Sequence, residues 1–459
     1  MPPAESTTAA PAVDRAQLAD WFDRTRARSK QLFDTVSPDA FLSRPIPLRH
    51  PIVFYEGHLP VFAFNAIIRK ALGEPGIDAG FEQLFARGID PENEAEAARR
   101  GVAAWPSRAA IAEYAAKADR RIRNAIESAD IFRAGHPLLD RAQAVYASIE
   151  HELMHQETLL YIFHRLPFEQ KRPASPPASP RLGKSDGGKP RRREGGAPAT
   201  VSIPDGCATL GARRGSLIFG WDNEFDAVDA RVPAFEIDVH DVTNRDYLEF
   251  IEAGGYGAPE FWTPDAWQWR TEYAVRHPLF WERHDGAWHW RGLFELVPLP
   301  DAWPVYVSHA EASAYARWKG KRLPTEAQYH RAAFGTPSGD ERPFPWGDDE
   351  PDPARHGNFD FLHPDPVPVG SYPEGRSAWG VHDLVGNGWE WTSTVFAPFP
   401  GFEPLPSYPE YSADFFDGQH YVMKGASPAT GRELVRRSFR NWFRPLYPYV
   451  YATFRMVSP

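Results

Sequence analysis

The fold class this sequence predicts is α+β and multidomain, a four-helix bundle followed by a mixed domain poor in strand and rich in ordered loop. Three observations predict it. From about Ala16 to Leu166, apolar residues recur at helical spacing with charges between them. Residues 170–200, "QKRPASPPASPRLGKSDGGKPRRREGGAPAT", offer almost nothing to bury and read as a flexible linker. After Val201 the strand-like pieces are short, and Gly, Pro, Asn and Trp recur. The boundaries that follow are a disordered N-terminus (1–15), a bundle (16–169), the linker (170–200) and the mixed domain (201–459).

Each element has its own reason. "AQLADWFDRTRARSKQLFDTV" and "GHLPVFAFNAIIRKALG" carry the helical repeat. "SRAAIAEYAAKADRRIRNAIESA" adds alanine and an N-cap at Ser107. "PLLDRAQAVYASIEHELMHQETLLYIFHRLP" makes the last bundle helix, stopped at Pro167. Such a bundle can hold a metal on facing side chains. Beyond the linker, "RVPAFEIDVHDVTNRDYLEFIEAGGY" reads as strand, turn and short helix. "VSHAEASAYARWKGKRLPTEAQYHRAA" reads as two short helices around a basic turn, and "GVHDLVGNGWEWTSTVF" sets a Gly-Asn-Gly turn beside Trp-Glu-Trp.

Composition narrows the function. The chain has 459 residues, 42% of them hydrophobic, and a net charge of −10. That balance argues against nucleic acid or an anionic membrane as partner. The basic cluster Arg191 to Arg193 sits in the linker, where solvation accounts for it. Cys207 is the one cysteine, so no internal disulfide forms. The first residues lack the basic and apolar regions of a secretory signal, and no apolar run approaches a membrane span. The expectation is a cytoplasmic protein, monomeric or a small homo-oligomer. Its 16 Trp and 46 Pro fit aromatic-lined pockets in a loop-rich domain.

The stretch "HELMHQETLLY", His151 to Tyr161, raises the chemical question. Two imidazoles four residues apart share a helix face, so they can converge on one ion. Read from the residues alone, they are either hydrogen-bonded core polar groups or two metal ligands. Neutral imidazole suits iron, zinc and copper alike. Glu157 lies off their face and reads as a structural or interdomain partner. Glu150 and Glu152 read as solvated, or as supporting the histidines from behind.

A resemblance narrows these alternatives. "DVTNRDYLEF", "ARWKGKRLPTEAQY", "PWG", "GNFD", "PVGSYPEGRSAWGVHDLVGNGWEWTS" and the closing "FRNWF…YATFRMV" resemble the formylglycine-generating-enzyme domain, a C-type-lectin-like fold, over most of residues 201–459. The N-terminal part resembles a DinB-like bundle with a three-histidine metal site. In this order the two are similar to the ergothioneine-synthesis sulfoxide synthases. Those are non-haem iron enzymes that use O2 to join sulfur to C2 of the imidazole of hercynine, Nα-trimethylhistidine.

The resemblance implies an Fe(2+) cofactor on His58, His151 and His155, with His58 supplied by "FYEGHLPVF". His50 in the same stretch is the competing third ligand, but it precedes a proline and is expected in a loop. It also implies that Arg440, Asn441 and Trp442 line the substrate pocket, while Trp389 to Trp391 serve as scaffold. A tyrosine acts in the family's chemistry, and Tyr408, Tyr411 and Tyr421 are the candidates.

Two departures matter. A lone cysteine rules out formylglycine generation, which needs a reactive pair. In the branch that uses γ-glutamylcysteine, "RNWD" is followed by an arginine pair. Here Phe443 replaces the acid, Tyr447 and Pro448 replace the arginines, and Tyr449 follows. With Arg444, these residues fit a less charged donor, such as the selenosugar of the selenoneine synthases. Arg99 and Arg100 lie in a loop that contacts donor in the family, so γ-glutamylcysteine or cysteine stays open. Two other readings are a DinB-like zinc thiol transferase and a non-enzymatic ligand-binding module.

Overall fold

The computed structural model describes residues 14–86, 104–173 and 200–458. The N-terminal residues to 13, the stretch holding Arg99 and Arg100, and most of the expected linker lie outside them. Among the described residues, no helix is long and apolar enough to cross a membrane.

The bundle contains α1 (Arg15–Asp34), α2 (Ile52–Phe64), a short α3 (Ala79–Leu84), α4 (Arg108–Ser128) and α5 (Gln143–His164). Ser107 caps α4 by accepting from the Ala110 amide. Two expectations shift. The second helix begins at Ile52, because the Pro51 ring is set for a helix entrance, and it passes into a π-helical turn at Asn65–Ala71. The last bundle helix begins at Gln143, because Arg141 and Ala142 turn left-handed with φ of 50° and 58°. After α5 the chain stays docked: Lys171 bridges Val36 and its ammonium donates to the carbonyls of Phe163 and His164.

The second domain follows with β1 (Thr200–Ile203), β2 (Gly206–Leu210), β3 (Val228–Val232), β4 (Phe235–Asp238), α6 (Asn244–Glu252) and α7 (Pro264–Glu272). Next come β5 (Trp281–His284), β6 (Ala287–Arg291), β7 (Leu296–Pro298), α8 (His309–Trp318), α9 (Glu326–Phe334) and β8 (Gly388–Val395). The chain closes with α10 (Glu410–Ala413), β9 (Tyr421–Ala426), β10 (Asn441–Phe443), β11 (Ala452–Thr453) and β12 (Val457–Ser458). The central sheet has the order β10-β9-β8-β11, with β11 parallel to β8 and the other neighbours antiparallel. Smaller sheets are β1-β4-β12, β2-β3 and β5-β6-β7.

One apolar cluster runs from Leu18 and Phe22 of the bundle to Trp389, Phe439 and Met456 without a break between the domains. Polar fastenings cross the same seam. Glu157 of α5 is buried and accepts from Trp389 Nε1 at 2.6 Å, Ser427 Oγ at 2.8 Å and Thr430 Oγ1 at 3.0 Å. The Arg436 guanidinium joins Glu150 of α5 to Glu224, donating to both carboxylates. Burial still pushes the Glu150 carboxyl up to about 7. Glu150 and Glu152 are therefore not solvated: Glu152 is buried too, between Arg26 and Ser29. Trp389 and Trp391 are buried, Trp389 also reaches the cleft between the domains, and Glu390 between them pairs with buried Arg455.

Candidate metal centre and its cleft

His58 comes from α2, and His151 and His155 come from successive turns of α5. One ring nitrogen from each lies within 4.8 Å of the others. The Nε2 atoms of His151 and His155 stand 3.1 Å apart. His58 Nδ1–H donates to the Phe85 carbonyl at 2.7 Å, which sets the tautomer and leaves Nε2 bare. That Nε2 is buried with no hydrogen-bond partner, as are the Nδ1 atoms of His151 and His155. Burial pushes His58 down to about 4 and the other two well below the ordinary imidazole range. Three neutral imidazoles with converging nitrogens therefore fit a divalent transition metal, and leave coordination positions for other ligands. No other group of three His, Cys, Asp or Glu among the described residues is arranged to hold an ion.

His50 is not part of the cluster. It stacks on Phe54 at 4.1 Å, and Phe54 in turn stacks on His58 at 5.0 Å, so a full ring separates the two histidines. Phe62 covers His151 face to face at 3.5 Å.

A cleft of about 520 Å³ opens on His151 and His155 between the domains. Asn441, Trp442, Phe443, Arg444 and Tyr447 line it, together with Tyr408 and Tyr411. Trp442 lies flat on Phe396 at 4.2 Å, with Tyr411 at its edge. Phe443 stacks on Tyr447 at 5.2 Å, and Tyr449 packs edge-on behind Tyr447. Arg444 lies 3.9 Å from Asp417. A second cavity, about 460 Å³, touches His58, Phe62 and Tyr408 from the side of Asn65 and Arg69.

Some expected residues stand elsewhere. Arg440 does not reach the cleft; its guanidinium is buried against Glu326 at 3.0 Å. Tyr421 pairs with Phe443 across the strands and stacks on His309 at 3.9 Å, away from the cavity. Arg99 and Arg100 lie outside the described residues. Several cleft residues escaped the sequence reading, Arg49 foremost among them. Arg49 donates to the hydroxyls of Tyr447 at 2.9 Å and Tyr161 at 2.5 Å. Its one sequence signal is its place just before Pro51, at the entrance of the helix that carries His58.

Comparison with known proteins agrees with this architecture. Residues 186–459 match the sulfatase-modifying factor enzyme 1-like domain, and residues 21–159 match the DinB superfamily. The hercynine oxygenase of Mycolicibacterium thermoresistibile is 33% identical over 458 residues, covering 96% of this chain and 95% of that protein. The hercynine oxygenase of Mycolicibacterium smegmatis is 36% identical over 315 residues, covering 67% of this chain and 70% of its own length. Ergothioneine biosynthesis protein 1 of Schizosaccharomyces pombe is 29% identical over 96% of this chain, which spans 56% of that protein. With both domain types in this order, and a hercynine oxygenase matched over nearly its whole length, the chain belongs to the ergothioneine-type sulfoxide synthase family.

Proposed function

We propose that this chain is an iron(II)- and O2-dependent enzyme that forms a C–Se or C–S bond at C2 of the hercynine imidazole. The observation that carries the reading is the convergence of His58, His151 and His155 at the head of a cleft walled by aromatic rings. Relatives named hercynine oxygenase support the substrate. Iron held by the three imidazoles supplies O2 activation and positions for ligands beyond the protein's own.

The chain's residues do the rest. The Phe85 carbonyl holds His58 in one tautomer. The Asn441 side-chain oxygen accepts from the Trp442 amide at 2.8 Å, which leaves its NH2 to donate to the hercynine carboxylate. The exposed face of Trp442 meets the trimethylammonium by cation–π attraction. Of the three candidate tyrosines, Tyr408, which lines the cleft with its ring 6.0 Å from that of His151, is the one we assign to move a proton at the reacting atoms.

For the donor, the stacked Phe443 and Tyr447 favour a selenosugar, whose apolar ring face packs on aromatic faces. Arg49 and Arg444 in the cleft favour a second reading, γ-glutamylcysteine, whose two carboxylates they would meet. The deciding experiment supplies anaerobic protein with iron(II) and hercynine, then selenosugar, its thiol analogue or γ-glutamylcysteine, and reads products by mass after O2 is admitted. A higher kcat/KM for the sugar-borne chalcogen is expected. Preference for γ-glutamylcysteine replaces the selenium reading with the sulfur one. Product formation with zinc alone, or no O2 uptake with any donor, overturns the oxygenase reading in favour of a zinc transferase or a binding module.

A further inference from the structure

An O2-activating centre has a hazard when its second substrate is absent: the oxidising equivalent has nowhere productive to go. The hazard is sharp here, because Met154 falls between the two α5 histidines in sequence and lines the same cleft. Thioethers are readily oxidised to sulfoxides. Met154 Sδ accepts a hydrogen bond from the Tyr411 hydroxyl at 3.1 Å.

From this point a run of aromatic rings leads away. Tyr408 is 6.0 Å from the His151 ring, and Tyr411 is 5.9 Å from Tyr408. Trp221 stacks on Tyr411 at 3.9 Å. Phe219 stands 5.3 Å from Trp221, and Tyr146 stacks on Phe219 at 6.1 Å. Trp21 closes the run 5.7 Å from Tyr146. Every ring but Phe219 is oxidisable. Trp221 is fully buried, whereas Tyr146 and Trp21 are half-buried and reach solvent. The Trp221 indole N–H donates to Glu150 Oε2 at 2.8 Å, and Glu150 also pairs with Arg436, so an oxidised indole has an acceptor for its N–H proton. Plain core packing explains contact between rings, but it does not require an oxidisable series from a metal ligand to the surface.

We propose that Tyr408, Tyr411, Trp221, Tyr146 and Trp21 form an electron relay that discharges the centre when no chalcogen donor is bound. This inference rests on the oxygenase reading above. One electron passes inward along the run for each O2-derived oxidising equivalent consumed at the centre. The hole ends on Tyr146 or Trp21, whose ring proton goes to water. A thiol in solution then returns one electron and one proton to that ring and is itself oxidised to disulfide.

The test exposes iron(II)-loaded protein with hercynine, but no donor, to O2 and maps oxygen additions by peptide mass spectrometry, with iron content measured first. Wild-type protein should carry its modification at Tyr146 and Trp21, and a thiol present during the exposure should prevent it by reducing the ring radical before oxygen adds. Trp221→Phe should raise Met154 sulfoxide several-fold and strip modification from the surface pair. Tyr146→Phe, a half-buried and conservative change, should do the same more weakly. Zinc-loaded protein should remain unmodified. If iron is bound and neither variant moves the pattern, the relay is overturned while the oxygenase reading stands. Modification confined to a second run, Tyr161, Tyr451, Tyr306, Trp290 and Trp303, also overturns it. A chain that takes up no iron overturns both readings.

Discussion

His58 and His50 lie on one short stretch, yet only His58 joins the cluster with His151 and His155. His58→Ala, His151→Ala or His155→Ala should each abolish tight iron binding, because coordination supplies most of the site's affinity. His50→Ala should keep it, and metal analysis after gel filtration separates the outcomes. Loss of iron from the His50 variant with retention in His58→Ala would reverse the assignment. Trp442→Ala should weaken hercynine binding by about 1–2 kcal/mol, the size of a desolvated cation–π contact. Histidine, which lacks the fixed charge, should bind less tightly than hercynine in calorimetry and change little between the two proteins. Phe443→Asp should impair use of a sugar donor while slightly raising use of γ-glutamylcysteine, read as kcat/KM at matched hercynine. At this scale the α5 pair was legible because helical periodicity converts a spacing of four into one face. Arg49 was not legible, because a loop has no period and its reach is set by the tyrosines it meets. The burial of Glu150 and Glu152 was hidden too, since their partners Arg436 and Arg26 are remote in sequence.

Helix α5 carries two of the converging histidines on one side and fastens the second domain with the other. Glu157→Ala should cost about 1–3 kcal/mol of stability, the penalty for stranding buried donors at Trp389, Ser427 and Thr430. Glu157→Gln keeps an acceptor for Trp389 and should cost less; chemical denaturation of both variants checks the order. Arg436→Met should cost about 3 kcal/mol, the lower part of the range for breaking a buried pair. Glu150 can relieve part of that loss by taking up a proton, since its carboxyl already sits near 7. Helix identities were largely readable from periodicity and caps. Their starts were not: a left-handed pair before Gln143 and a helix entrance at Pro51 are decisions of the local backbone that apolar spacing does not record.

Across the whole molecule, several histidines are buried neutral and away from the cluster. His309 is pushed down to about 3, and His164 and His330 well below the ordinary range, by burial. For these groups the unfolded chain binds the proton first. Their contribution is therefore present above about pH 6.5 and is lost as pH falls toward the folded values, by about 1.4 kcal/mol per unit for each. Thermal unfolding should shift down between pH 7 and pH 5, and His309→Gln should flatten that limb. An equal slope in the variant would refute this source. The two-domain order was legible from composition, but the seam was not, because it is built from pairs hundreds of residues apart. That seam has a consequence for covalent continuity. A single apolar cluster crosses it, and Glu157, Arg436, His164 with Tyr451, and Arg28 with Asp360 pin it from several sides. The peptide chain between residues 173 and 200 is then not what keeps the halves together. A protease site engineered there should yield, after cleavage, two fragments that elute as one species and still bind iron. Expressed from separate genes, the two pieces should find each other, so the molecule would behave as a heterodimer that happens to be encoded as one polypeptide.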